Sequence, residues 1–131
     1  MNEVLSENNN GFDQLRYGKV SYSITINRSN RTLTLFKDGG VYKVYPVAVG
    51  KATTPTPAGT FQIINKAVNP GGPFGARWLG LNAPPGGYGI HGTNNPASIG
   101  KNVSNGCIRM QNKNVIELSN LAPVGTSVKI V

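Results

Sequence analysis

One cysteine, one histidine and five carboxylates are all that this 131-residue chain offers for metal binding or acid–base chemistry. A single cysteine excludes an intrachain disulfide. No His/Cys cluster stands at ligand spacing, so neither a metal site nor any cofactor is expected. Long apolar runs are missing as well: nothing approaches the roughly 20 consecutive apolar residues of a bilayer-crossing helix, and no membrane span is expected. The opening stretch MNEVLSENNNGFDQLRYG has no early positive charge and no apolar segment of the kind a signal peptide needs. Acidic residues are outnumbered by 13 Lys and Arg, for a formal charge of +8, and a surface of that sign draws anionic polymers. Aromatic residues make up only 8% of the chain and do not interleave with clustered basic residues. Single-strand binders need that interleaving, so nucleic acid is not the expected partner.

What is abundant is glycine and proline, 17 and 9 residues spread without a period, which favours many turns between short strands. The length suits one domain with a core of its own. Residues 1–18 are polar and Asn-rich and read as a lead-in or linker, the domain proper covering 19–131. From Val20 the pattern turns to period two: Val20, Tyr22, Ile24 and Ile26 alternate with Ser21, Ser23 and Thr25, a half-buried strand. Leu33 and Leu35 with Thr32 and Thr34 form a second strand, Asp38-Gly39-Gly40 supplies a turn, and Val41 to Val49 returns as a third. TTPTPAG (53–59) is a stiff connector, since each residue before a proline is pushed toward extended geometry, and it leads into the strand TFQII. RWLGL (77–81), YGI (88–90) and TSVKIV (126–131) complete the strands. One helix is expected over NKNVIELSNLA, with Val115, Leu118 and Leu121 on one face, Asn112 or Asn114 as cap, and Pro123 and Gly125 beyond its end. The fold class is therefore mostly β, a compact sandwich or barrel with one short helix.

The lone thiol sits in SNGCIRM (104–110). Gly106 before Cys107 permits a tight turn and close approach of another molecule. His91 ends a short apolar run in YGIHGTNNP and is followed at once by Gly92, a setting that aims an imidazole over the rim of a sheet. A thiol attacks as thiolate and is mostly protonated at neutral pH, so it needs a base or a cation beside it, here His91 or Arg109. Spacing alone does not bring these groups together. A lone cysteine is often a small buried hydrophobe and a lone histidine a structural residue, but both lie in polar, glycine-punctuated segments where core residues are seldom placed.

These residues resemble the catalytic domain of the L,D-transpeptidases, cysteine enzymes that cross-link bacterial peptidoglycan. The likeness rests on HG at 91–92 followed by SNGCIRM, and extends to VGKATTPTPAGTFQI (49–63), GARWLGL (75–81), HGTNNPASIGKNVSNGCIRM (91–110) and the closing GTSVKIV. It spans about residues 20–131. Many members carry a histidine two residues before the nucleophile, where this chain has Asn105, as other members do. Base function therefore falls on His91.

The resemblance implies a compact β-sandwich or barrel-like catalytic fold with its helix after the catalytic loop. It makes Cys107 the nucleophile and His91 its base, oriented by the Gly92 carbonyl, with oxyanion donors at the backbone of Gly106 and Cys107. Arg109 would hold a stem carboxylate or brace the loop, and Ser104, Asn105 and Tyr88 would shape the pocket; Trp78, from its own place in the strand RWLGL, is expected in the core. The implied reaction is formation of 3→3 cross-links between stem peptides through a thioester, with release of D-alanine. The same dyad could instead trim tetrapeptide stems as an L,D-carboxypeptidase, and a small basic β domain could also bind wall glycan or nucleic acid without chemistry. An extracellular, wall-associated monomer acting on peptidoglycan stems, with anionic wall polymers as possible further partners, is the expectation.

Overall fold

A computed structural model of the chain describes residues 20–131, so the expected lead-in at 1–18 lies outside the described residues. The strands are β1 (Tyr22–Asn27), β2 (Thr32–Lys37), β3 (Gly40–Gly50), β4 (Gly59–Val68), β5 (Arg77–Leu81), β6 (Gly89–His91), β7 (Asn102–Ser104), β8 (Ile108–Met110) and β9 (Ser127–Ile130), with one α-helix, α1 (Asn112–Leu121). Mostly β with a single helix is what the glycine and proline pattern predicts.

The strands pair in the order β2-β1-β9-β4-β5-β6-β8-β3, and β3 pairs back onto β2, so the circuit closes; β7 is attached to the far end of β3. Two long strands make closure possible. The first part of β3 pairs with β2 and its last residues with β8 and β7. Likewise β4 pairs with β9 over Gly59–Gln62 and then with β5. Each long strand changes partners near an irregularity, between Val49 and Gly50 in β3 and between Ile63 and Asn65 in β4, as expected where a sheet must bend.

Period two decides what is buried. Ile24 and Ile26 of β1, Leu33 and Leu35 of β2, and Val128 and Ile130 of β9 all point inward, each no more than 2% exposed. Burying side chains of this size stabilises the fold by about 1.5–3 kcal/mol apiece. From α1, Val115 and Leu118 join this core and Leu121 packs against it. The cap differs from expectation: Gln111 takes the N-cap position without a side-chain hydrogen bond. Asn112 is engaged elsewhere, as described below. Two short strands, β7 and β8, flank the lone thiol, and neither is among the strands expected from the sequence.

Candidate active site

β6 lies between β5 and β8, antiparallel to the first and parallel to the second. His91 is therefore opposite Trp78 on one side and Arg109 on the other. Paired residues in a sheet project from the same face, and Cys107, two residues before Arg109, falls on that face one pleat step away, level with Gly89. The neighbouring row is nearly bare. Gly80 and Gly89 pair across β5 and β6, and a Cβ on Gly89 would lie 2.6 Å from the Trp78 ring. The Trp78 ring thus covers the glycine row beside the thiol, and the imidazole stands on the thiol's diagonal, a separation that an aromatic side chain can span.

His91 is 5% exposed. Its ring stacks on Trp78, centroids 5.7 Å apart and planes at 19°, and meets Phe74 edge-on at 5.2 Å. Trp78, expected in the core, is instead half-buried as a lid on the imidazole. Nδ1 contacts the Gly92 carbonyl at 2.5 Å. A carbonyl can only accept, so in the neutral ring Nδ1 carries the proton and Nε2 is left as a free acceptor. Burial pushes the imidazole pKa down; the Gly92 carbonyl opposes this and the Arg109 charge adds to it. Burial pushes the Cys107 thiol up, against a backbone hydrogen bond from Gly89 and the same Arg109 charge. At neutral pH the pair is accordingly thiol and neutral imidazole, and the Cys107 sulfur hydrogen-bonds to the Gly87 carbonyl at 3.6 Å.

The loop around the thiol is braced from within. Ser104 is 2% exposed; its hydroxyl donates to the Cys107 carbonyl at 2.6 Å and accepts the Gly106 N–H at 3.0 Å. Ser104 therefore acts on the loop, not as a wall of the pocket. The Gly106 N–H is engaged by it too, which leaves the N–H of Cys107 as the candidate oxyanion donor. Gly106 itself is at φ 121°, and a Cβ there would sit 2.6 Å from the Tyr88 ring, so Tyr88 shapes the loop by packing on it. Asn105 is exposed. Arg109 is half-buried, and its guanidinium has no hydrogen-bond or salt-bridge partner among the described residues. The bracing role weighed for it is not seen.

Sequence reading missed Asn112. Its Oδ1 accepts the N–H of Ala76 at 3.0 Å and of Thr93 at 3.2 Å, and its Nδ2 donates to the Thr93 carbonyl at 3.1 Å. One amide thus ties the turn after His91 to the loop that carries Phe74. Gly92 and Gly75 make room for it: a Cβ at either position would fall 2.1 or 2.3 Å from Oδ1. Paired glycines around an asparagine at a helix start were the available signal, hidden by that residue's ordinary use as a cap.

Residues 21–130 match the family model described as the L,D-transpeptidase catalytic domain, YkuD. The chain belongs to the L,D-transpeptidase family. It is 59% identical over 111 residues to YkuD of Bacillus subtilis (strain 168), a protein whose name assigns it to the L,D-transpeptidases; the match covers 85% of this chain and 66% of that one. YqjB of the same organism, also assigned by name to the L,D-transpeptidases, is 44% identical over 122 residues, covering 82% of this chain and 69% of its own length. Among solved structures, the catalytic domain of an Enterococcus faecium L,D-transpeptidase superposes with a TM-score of 0.72 at 27% identity, covering 85% of this chain and 97% of that one. The chain thus spans about two thirds of the length of its Bacillus relatives.

Proposed function

We propose that this L,D-transpeptidase domain forms 3→3 cross-links between peptidoglycan stem peptides through a thioester on Cys107. The observation that carries the reading is the placement of the thiol and a buried, neutral imidazole on one face of neighbouring strands, with Nδ1 held by Gly92 and Nε2 free. In the first half-reaction Nε2 takes the thiol proton as sulfur attacks the carbonyl carbon of the stem's diamino acid. The C–S bond forms and the C–N bond to D-alanine breaks, and the imidazolium returns the proton to the departing amine. In the second, the side-chain amine of another stem attacks the thioester, Nε2 accepts its proton, and the C–S bond breaks to regenerate the thiol. The Cys107 N–H supports the oxyanion; a single donor of this kind typically contributes about 3 kcal/mol to lowering the barrier. Arg109, whose guanidinium has no partner among the described residues, suits the stem carboxylate.

This reading places the protein at the cell wall. The test is incubation with a disaccharide tetrapeptide, measuring released D-alanine and the intact mass of the protein against Cys107→Ala. A transient adduct with stoichiometric D-alanine, discharged by an added amine, is expected. Discharge only by water would make the domain a trimming carboxypeptidase. Neither adduct nor D-alanine from folded protein with a titratable thiol would overturn acyl transfer and favour a binding module.

A further inference from the structure

On the other side of the catalytic loop lies an open groove of about 440 Å³ whose lining includes Arg28, Arg31, Lys51, Ser29, Thr56 and Asn102. Among the described residues, no acidic and no aromatic side chain borders it. Both arginines are half-buried and are held by main-chain carbonyls: Arg28 donates to Val131 and Thr56 at 3.1 Å each, Arg31 to Gly100 at 2.7 Å and Ser29 at 2.8 Å. Two donor nitrogens of each guanidinium are used in this way, which fixes its plane and leaves other N–H groups unspent. Arg31 adopts a left-handed backbone, φ 55°, that an L-residue enters only at a cost. The two described carboxylates are elsewhere, Glu117 with Lys43 and Tyr45, and Asp38 on the Ser21 N–H. The half-buried Arg31 guanidinium has no carboxylate partner among the described residues, and neither has the exposed Lys51 ammonium beside it; such cations gain by taking an anion.

We propose that this groove binds a phosphodiester polymer with a polyol backbone, alongside and independently of the chemistry at Cys107. Phosphate oxygens match the fixed guanidinium forks and the Lys51 ammonium. An open trough admits a chain, where an enclosed pocket would select a single stripped ion. With no ring to stack on, nucleobases gain nothing there, so a base-free polymer is favoured over single-stranded DNA. The groove also borders the thiol loop, because the Lys51 N–H and the Thr54 hydroxyl both donate to the Ser104 carbonyl, at 3.1 and 2.8 Å.

The experiment uses the Cys107→Ala protein, so that only binding is read, and titrates it with a defined poly(glycerol phosphate) while amide resonances and affinity are followed against salt. Saturable shifts centred on Lys51, Arg31 and Asn102 are expected, with a log–log salt slope of magnitude about 1.5–2 if Arg31 and Lys51 are both engaged. Lys51→Gln, which removes a side chain with no described hydrogen bond, is expected to lower that slope by about 1. Lys37→Gln, an equal loss of charge at the far end of β2, is expected to leave it unchanged. Equal weakening by both substitutions would reduce the effect to diffuse charge and overturn the site. Binding of oligothymidylate of the same charge as tightly as the polyol phosphate, or no saturable binding at low salt, would overturn it too.

Discussion

Replacing Asn112 by alanine is expected to loosen the histidine while leaving the fold standing. The substitution removes three hydrogen bonds, to Ala76 N–H, Thr93 N–H and Thr93 carbonyl. Each contributes about 1 kcal/mol net. Asn112 is itself exposed, so water can re-solvate some of the freed groups, and the expected loss is ~2 kcal/mol, a fall in Tm of about 8 °C for a domain of this size. The turn at Gly92 and Thr93 then opens. Two effects on His91 oppose each other: hydration relieves the burial that depresses its pKa, and loss of the Gly92 carbonyl contact lowers it further. Burial is the larger cause, so the net shift is upward, toward the ordinary value of about 6.5. Asn112→Asp keeps an acceptor for both N–H groups and adds a negative charge near the ring, and should shift the pKa higher still. Since the chain has one histidine, its ring-proton NMR signal is unambiguous. Displacing the imidazole by about 1 Å is expected to slow acyl transfer on the order of 100-fold. A wild-type titration curve in Asn112→Ala, with only Tm lowered, would refute positioning and leave Asn112 as a structural staple.

The half-buried thiol, with its pKa raised, should react with iodoacetamide at a rate that climbs through alkaline pH; a plateau below pH 7 would reveal a preformed thiolate and contradict the neutral pair. Glu117, held by Lys43 and Tyr45, has a depressed pKa. Its stabilising contribution is therefore present above the ordinary carboxylate pKa and lost as pH falls through the folded one, so urea titrations of Glu117→Gln should show a flatter acid limb than wild type; identical limbs would remove Glu117 from the account. Gly106→Ala should cost about 2 kcal/mol, from positive φ and the contact with Tyr88 together. Adding Tyr88→Ala should relieve the contact but not the backbone strain, and complete rescue, read by thermal unfolding, would show that φ at this position is unimportant.

How far residues alone reach depends on where their partners are. Period two in β1 and β2 and the Asp38-Gly39-Gly40 turn are local, and they reappear in the structure at nearly the expected places. The helix face of Val115, Leu118 and Leu121 is local in the same way. β8 is not: its residues acquire meaning only against Val47–Ala48 of β3 and Ile90–His91 of β6. Trp78 looked like core because it sits in an apolar strand, yet its register partner on β6 is His91, and its ring lies on that imidazole over the Gly80–Gly89 row, which has no side chains. Asn112 satisfies a rule about helix starts well enough to conceal a tertiary task. Cys107 and His91 stood out through their glycine neighbours and the family likeness, whereas the order of protonation between them follows from burial, which no spacing encodes.

The closed circuit of strands has a consequence for how the chain is made. β9 fills the slot between β1 and β4, pairing in parallel with one and antiparallel with the other. Until residues 127–130 have left the ribosome, β1 and β4 each present a row of unpaired backbone groups, and the core lacks Val128 and Ile130. Strand pairing across nearly the whole chain is slow to find because the loop it closes is long. The barrel can be finished only after synthesis has passed its last strand, and the interval before that, with two sticky edges open, is when this protein is most exposed to aggregation.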